Sequence, residues 1–173
     1  RTPAGFCGVV GIRPSPGVVA AEGRPVGLLP FSVLGPMGRT VDDAYLLLGK
    51  SRYYQQRFIP AIEAFNYVIA NYPNANLIAE TKIWRAKSNI RLDNEEFAIE
   101  TLKLLLTVRD TLETNLPDET KENGYTTLAV AYIKSDSIQK AKESLLLATR
   151  TQKNKDQAAR NLFILGQLFA EEN

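Results

Sequence analysis

The sequence predicts an all-α fold: a solenoid of about three and a half helix pairs, preceded by an irregular glycine- and proline-rich segment. Three observations carry this. Residues 1 to 40 hold eight of the eleven glycines and six of the nine prolines, whereas residues 41 to 173 hold three of each. Beyond residue 40 the apolar positions recur at three- and four-residue spacings, the mark of amphipathic helices. Within that region small and large residues return at matching places, so the helices form a repeat.

Taken in order, the first segment reads as loops and short strands, because glycine and proline at that density interrupt helices. The run Gly8-Val9-Val10-Gly11-Ile12 suggests one short buried strand, but it stands without sheet neighbours. The spacing predicts a loosely held segment over 1 to 40 and a helical repeat domain over 41 to 173. Seven helices are expected in the latter. Thr40 with Asp43 and Asp93 with Glu96 are capping-box-like pairs that would start helices after residues 40 and 93. Pro60 and Pro117 suit a first helical turn, Pro73 falls just past a helix end, and Asp110 to Pro117 reads as an extended turn.

The first repeat unit reads Tyr45-x2-Leu48-Gly49, then Ala61-x3-Phe65, then Pro73, with Arg52 where the pattern would place a tyrosine. A second has Ala86, Ala98 and Leu102 in the small, small and large places, with Trp84 set between Lys82 and Arg85. The third has Tyr125-x2-Leu128-Ala129-x2-Tyr132, then Ala141-x3-Leu145 and Ala148. A fourth starts with Leu162-x2-Leu165-Gly166-x2-Phe169 and is half made. The small residues Gly49, Ala86, Ala129 and Gly166 let the first helix of a pair approach the second closely, and large residues fill the space between pairs. On the last helix Leu162, Phe163 and Leu165 would cover the third unit, while Leu168 and Phe169 call for a further helix after residue 173.

This pattern resembles the tetratricopeptide repeat (TPR) family. More narrowly, Lys50-Ser51-Arg52-Tyr53-Tyr54-Gln55-Gln56-Arg57-Phe58 followed by Ala64-Phe65-Asn66-Tyr67 is similar to the tetratricopeptide lipoproteins of the gliding-motility and type IX secretion machinery. The resemblance implies a protein-interaction scaffold at the bacterial cell envelope, with no chemistry of its own. In such repeats the first helices line a concave groove, whose exposed positions by register are Leu46, Lys50, Tyr53, Ile83, Lys87, Ile90, Val130 and Ile133. Mixed apolar and basic groups suit an extended or helical peptide. The alternative for the same residues is that the lysines are solvated and the isoleucines pack between repeats. A ring of cations and asparagine around a terminal carboxylate, used by some members, is approached only by Lys50, Lys87 and Asn123 and is not assigned.

The first segment has a second resemblance. Arg1-Thr2-Pro3-Ala4-Gly5-Phe6-Cys7-Gly8-Val9-Val10-Gly11-Ile12-Arg13-Pro14-Ser15-Pro16-Gly17 and Phe31-Ser32-Val33-Leu34-Gly35-Pro36-Met37-Gly38-Arg39-Thr40-Val41-Asp42-Asp43-Ala44 resemble the amidase signature family. That family works through a serine nucleophile, a second serine and a lysine. The resemblance places all three upstream of Arg1, implies cytoplasm, and puts Cys7 at a buried packing position. The two likenesses meet at Val41 to Leu48, which suggests a chimeric junction there.

Composition excludes much chemistry. With no histidine there is no Ser-His-Asp or Cys-His catalysis, and no histidine-containing zinc site. One cysteine allows no internal disulfide. Neither Ser15, between two prolines, nor Ser32 has a basic partner nearby in sequence. A net charge of +2 from 21 basic and 19 acidic residues gives no field to draw in nucleic acid or a membrane surface. No apolar run is long enough to span a bilayer, and the start at Arg1 reads as neither an initiator methionine nor a signal peptide. The expectation is a non-enzyme without catalytic residues, cofactor or metal, whose partner is a protein or peptide.

Overall fold

The computed structural model describes residues 10–11, 37–111, 116–151 and 155–170. Among them are seven helices: α1 Val41–Tyr54, α2 Phe58–Asn71, α3 Ile78–Ile90, α4 Glu95–Thr111, α5 Asp118–Lys134, α6 Ile138–Thr151 and α7 Lys155–Ala170. Two two-residue strands, β1 Val10–Gly11 and β2 Met37–Gly38, are the only extended elements described. The fold is all-α, as the apolar periodicity requires. Cys7, Ser15, Ser32 and residues 112–115 of the expected extended turn lie outside the described residues.

The chain divides into two compact units, Arg1–Ser88 and Asn89–Asn173, with the division inside α3. In the first, α1 packs on α2. Leu46, Ala61 and Phe65 form its core, with Tyr53, Leu77 and Trp84 packed against them. Leu48 and Ala64 make a second cluster against Tyr45, whose ring stacks on Tyr67 at 4.0 Å. Gly49 is what lets the helices close. A Cβ there would lie 2.7 Å from Cδ1 and Cζ of Phe65, a ring that is itself wholly buried. Arg52, the departure from the repeat pattern, donates from Nη1 to the Pro60 carbonyl at 2.7 Å and so ties α1 to the first turn of α2.

The glycine-rich motif before α1 also has a packing reason. Thr40 caps the helix, its hydroxyl accepting from the Asp43 amide at 3.4 Å. Gly38 sits so close to that first turn that a Cβ would meet Asp43 Cβ at 2.6 Å and the Ala44 nitrogen at 2.7 Å. The expected strand without neighbours has one: β1 pairs antiparallel with β2, Val10 opposite Gly38 and Gly11 opposite Met37, and both strands lie against α1.

In the second unit α5 packs on α4 and α6, and α6 on α7. Leu102, Leu105, Leu106, Leu128, Ala129, Ala141, Leu145 and Ala148 form its buried core. Asn161 of α7 is fully buried and donates to Thr126 Oγ1 of α5 at 3.0 Å, which satisfies a polar group inside an apolar contact. Leu165 and Leu168 of α7 turn inward with it. Leu162 and Phe163 do not, and are exposed, so the covering expected of them is supplied by Ala158, Asn161, Leu165 and Leu168.

One geometry recurs in the turns. Gln56, Asp93 and Asp136 have φ of 61°, 58° and 57°, and each stands seven residues after a small residue of the repeat, Gly49, Ala86 or Ala129. In all three the residue with positive φ donates its amide to the carbonyl three back, and the next residue donates to the carbonyl five before it. The pairs are Gln56 to Tyr53 and Arg57 to Arg52, Asp93 to Ile90 and Asn94 to Asn89, Asp136 to Ile133 and Ser137 to Tyr132. This is a Schellman-type helix end, which satisfies the last carbonyls of one helix while aiming the chain into the next. Asp93 is thus a turn residue and not the predicted cap. α4 starts at Glu95, one residue later than that cap requires.

Candidate functional site

The groove expected from the repeat register separates into two groups. Leu46, Ile83 and Ile90 are 3 %, 2 % and 5 % exposed. They belong to the core and offer no groove surface, a correction with a simple cause: these apolar side chains are taken up by helix packing, the alternative that the sequence leaves open for the isoleucines. Lys50, Tyr53, Lys87 and Ile133 are half-buried and Val130 is exposed.

In the first unit the structure brings Lys50, Tyr53 and Lys87 together around a residue outside the predicted set, Trp84. Its indole is half-buried between α1 and α3, edge-on to Tyr53 at 5.3 Å and to Tyr54 at 5.7 Å. The Lys87 ammonium lies 4.5 Å from the ring centroid and that of Lys50 5.4 Å. A cation over an indole face is attracted by the ring's quadrupole, more so where water is excluded. Glu80, one turn before Trp84, accepts from Lys50 Nζ at 2.5 Å and from the indole nitrogen at 3.4 Å. Glu80, Trp84 and Lys87 share a helix face at i, i+4 and i+7, so this face was open to discovery from spacing alone.

The electrostatics are uneven. Two ammonium groups share one indole and one carboxylate among the described residues. Burial holds the Lys87 ammonium below the usual lysine range; Glu80 opposes that shift, and Lys50 adds to it as a neighbouring like charge. A second anion placed between Lys50 and Lys87 would relieve both effects. The site can therefore bind a carboxylate flanked by apolar groups, but among the described residues it presents no nucleophile with an adjacent base.

The second unit treats its lysine differently. Lys134, at the end of α5, donates to the Ile90 carbonyl at 2.5 Å, to Glu95 Oε1 at 2.8 Å and to Asp93 Oδ1. Those hydrogen bonds raise its pKa and lower those of Asp93 and Glu95. Here the excess has the opposite sign, two carboxylates to one ammonium. Val130 and Ile133 lie on the same helix, four and one residues earlier. An open concavity of about 740 Å3, lined by Ile99, Leu104, Tyr132 and Lys140 among others, contains none of the predicted groove residues. Among the described residues there is no cluster of side chains suited to a metal ion, and no helix is long and apolar enough to cross a membrane.

Comparison with known proteins gives two answers for two stretches. The fold is similar to the NMR structure of the first TPR domain of the human RPAP3 protein, with a TM-score of 0.57 and 16% identity over 73% of this chain and 91% of that one. This supports a TPR-like helical-repeat fold. Over 48 residues the chain is 48% identical to a glutamyl-tRNA(Gln) amidotransferase subunit of Microcystis aeruginosa (strain NIES-843 / IAM M-2473), which is 28% of this chain and 10% of that protein. Over 57 residues it is 40% identical to the same subunit of Gloeothece citriformis (strain PCC 7424), 33% of this chain and 12% of that protein. The chain thus spans about a tenth of the length of the curated relatives it matches. The family model described as Amidase matches residues 1–96, through α1, α2 and α3 to the start of α4. Since that match covers more than half of the 173 residues, the chain belongs to the amidase family.

Proposed function

We propose that this chain is a non-catalytic scaffold that binds a protein or peptide partner along the first helices of its repeats. Lys50, Tyr53 and Lys87 around Trp84 form the centre of the first unit's surface, and Val130 and Ile133 are the corresponding surface positions of the second. The observation that carries the reading is the charge imbalance at Trp84: among the described residues two half-buried lysines share a single carboxylate. Such a surface favours a partner with acidic side chains interleaved with apolar ones. In keeping with the likeness of residues 50 to 67, the partner would belong to an envelope-associated assembly of the gliding-motility and type IX secretion kind.

The test uses a fluorescent peptide that alternates glutamate with leucine, titrated into the 173-residue chain. Lys50→Glu combined with Lys87→Glu should weaken it by about 10- to 100-fold, the equivalent of losing one or two hydrogen bonds to a charged group. Equal affinity for both proteins would remove the groove from consideration. The same preparation should not turn over a chromogenic amide, and hydrolysis above the buffer rate would defeat the non-catalytic reading.

The family match favours a second reading, an inactive fragment of an amidase-signature amide hydrolase fused to repeats. Under it, residues 1–40 are the amidase-derived segment and 41–173 the repeat domain, with the junction in Val41 to Leu48. Gly38 packed on the first turn of α1 supports a continuous structural role for that motif in either reading. The stretch that resembles the family follows its nucleophile, and in sequence Ser15 lies between two prolines and Ser32 has no basic partner nearby. The scaffold reading accounts for more of the chain.

A further inference from the structure

Helix α4 turns a whole face to solvent. Its inward side is Ala98, Leu102, Leu105 and Leu106, all buried. At about 100° per residue, Glu96, Ile99, Glu100, Lys103, Leu104 and Thr107 fall on the other side as a stripe about three turns long. Of the six only Ile99 is half-buried; the rest are exposed, Leu104 at 64 %. The stripe forms one wall of the open concavity of about 740 Å3, and Tyr132 of α5 and Lys140 of α6 stand on the other. That second wall lies beside the first turn of α4, because Lys134 at the end of α5 is bound to Asp93 and Glu95.

The stripe is its own complement. Its positions are spaced symmetrically about the midpoint of Thr101 and Leu102, so a second α4 laid antiparallel across it sets Glu100 against Lys103, Ile99 against Leu104 and Glu96 against Thr107. Each pairing occurs twice, once in each direction. That is the requirement of a two-fold interface, in which residue i meets j and j meets i. Opposite charges meet, apolar side chains meet, and no like charges face each other. A parallel copy would instead set Glu100 beside Glu100 and Lys103 beside Lys103, so the charges select the antiparallel arrangement. In it the second half of the other copy's α4, with its exposed Leu104, enters the concavity beside Tyr132 and Lys140.

We infer that the outward face of α4 is a homodimer interface, in which a second copy of this chain packs its own α4 antiparallel about a two-fold axis at Thr101 and Leu102. A further repeat following α7 would stack on α7 and not here, because each unit of a helical repeat contacts only its neighbours in sequence. The interface uses none of Lys50, Tyr53, Trp84 and Lys87, so it stands or falls separately from the acidic partner proposed at Trp84. A dimer presents that surface twice, and a partner with two acidic segments would be held by both copies at once.

The experiment is sedimentation velocity of the full chain, from low micromolar to several hundred micromolar. A monomer–dimer equilibrium is expected. Glu100→Lys and Lys103→Glu should each weaken the dimer about tenfold or more, since two facing pairs turn repulsive at once. The double variant, which exchanges the two charges, should restore it. Mixing the Glu100→Lys chain with the Lys103→Glu chain should give a heterodimer, because each supplies the charge that the other lacks. Both positions are exposed, and circular dichroism checks that every variant keeps its helix content. Lys50→Glu with Lys87→Glu should leave assembly unchanged. A chain that stays monomeric throughout, a dimer indifferent to the single reversals or lost with the Lys50 and Lys87 changes, or reversals rescued neither by exchange nor by mixing would each overturn the proposal.

Discussion

Gly49 and Gly166 hold the same place in the repeat but have opposite surroundings, and the lysines of the two units differ in the reverse sense. Phe65 fills the space over Gly49, and nothing fills that over Gly166. Lys50 and Lys87 share one carboxylate at Trp84, whereas Lys134 has two carboxylates and a carbonyl to itself. The two glycines thus share a register and serve different ends, and the lysine clusters differ at unlike places in the repeat. A closed glycine holds two helices together and an open one does not, while one lysine cluster has cations in excess and the other carboxylates. Exposure decides which is which, and register alone does not.

The largest expected effect tests the glycine half of this comparison. Gly49→Ala removes a flexible residue from a helix interior, which by itself favours the helix by about 0.5–1 kcal/mol. Its Cβ would drive into the buried Phe65 ring, however, and overpacking of that kind costs about 1–3 kcal/mol. The net outcome is a destabilised first unit, read as a lower midpoint in urea unfolding, and Phe65→Leu in the same chain should recover part of the loss. At Gly166 only the helix-propensity gain operates, so Gly166→Ala should be neutral or slightly stabilising. If the two alanine variants unfold alike, the contrast between closed and open glycine is wrong.

Much of this architecture can be read from the residues. Thr40 with Asp43 locates the start of α1, Pro73 the end of α2, and the spacing of Gly49, Ala86 and Ala129 the helix pairs, because each depends on neighbours within a few residues or on a repeat of fixed register. Asp93 reads wrongly as a cap, since a left-handed turn residue and an N-cap draw on the same residue types. Register puts Leu46, Ile83 and Ile90 in the groove because it marks which side of a helix a residue occupies, not whether a neighbouring helix covers it. Trp84 is visible as a break in the repeat pattern. Its role needs the third dimension, because Lys50 and Tyr53 reach it from another helix.

The smaller effect tests the lysine half, through pH. Lys134 has a raised pKa, so its contribution to stability is fully present below the ordinary lysine value of about 10.4 and is lost as pH rises through the raised one. Asp93 and Glu95 have lowered pKa values. Their contribution is present above the ordinary carboxylate range near about 4 and is lost as pH falls through the lowered values. Lys134→Met keeps most of the aliphatic stem and removes the charge. The stability difference between the parent and this variant should therefore be level from about pH 5 to about pH 10 and shrink at both ends, with midpoints of thermal unfolding as the measurement. A difference that stays constant into acid would mean that Lys134 acts through its stem and its bond to the Ile90 carbonyl, not through the carboxylates. The ion pairs of Lys134 with Asp93 and Glu95 would then add nothing to stability, and the contrast between the two lysine clusters would disappear.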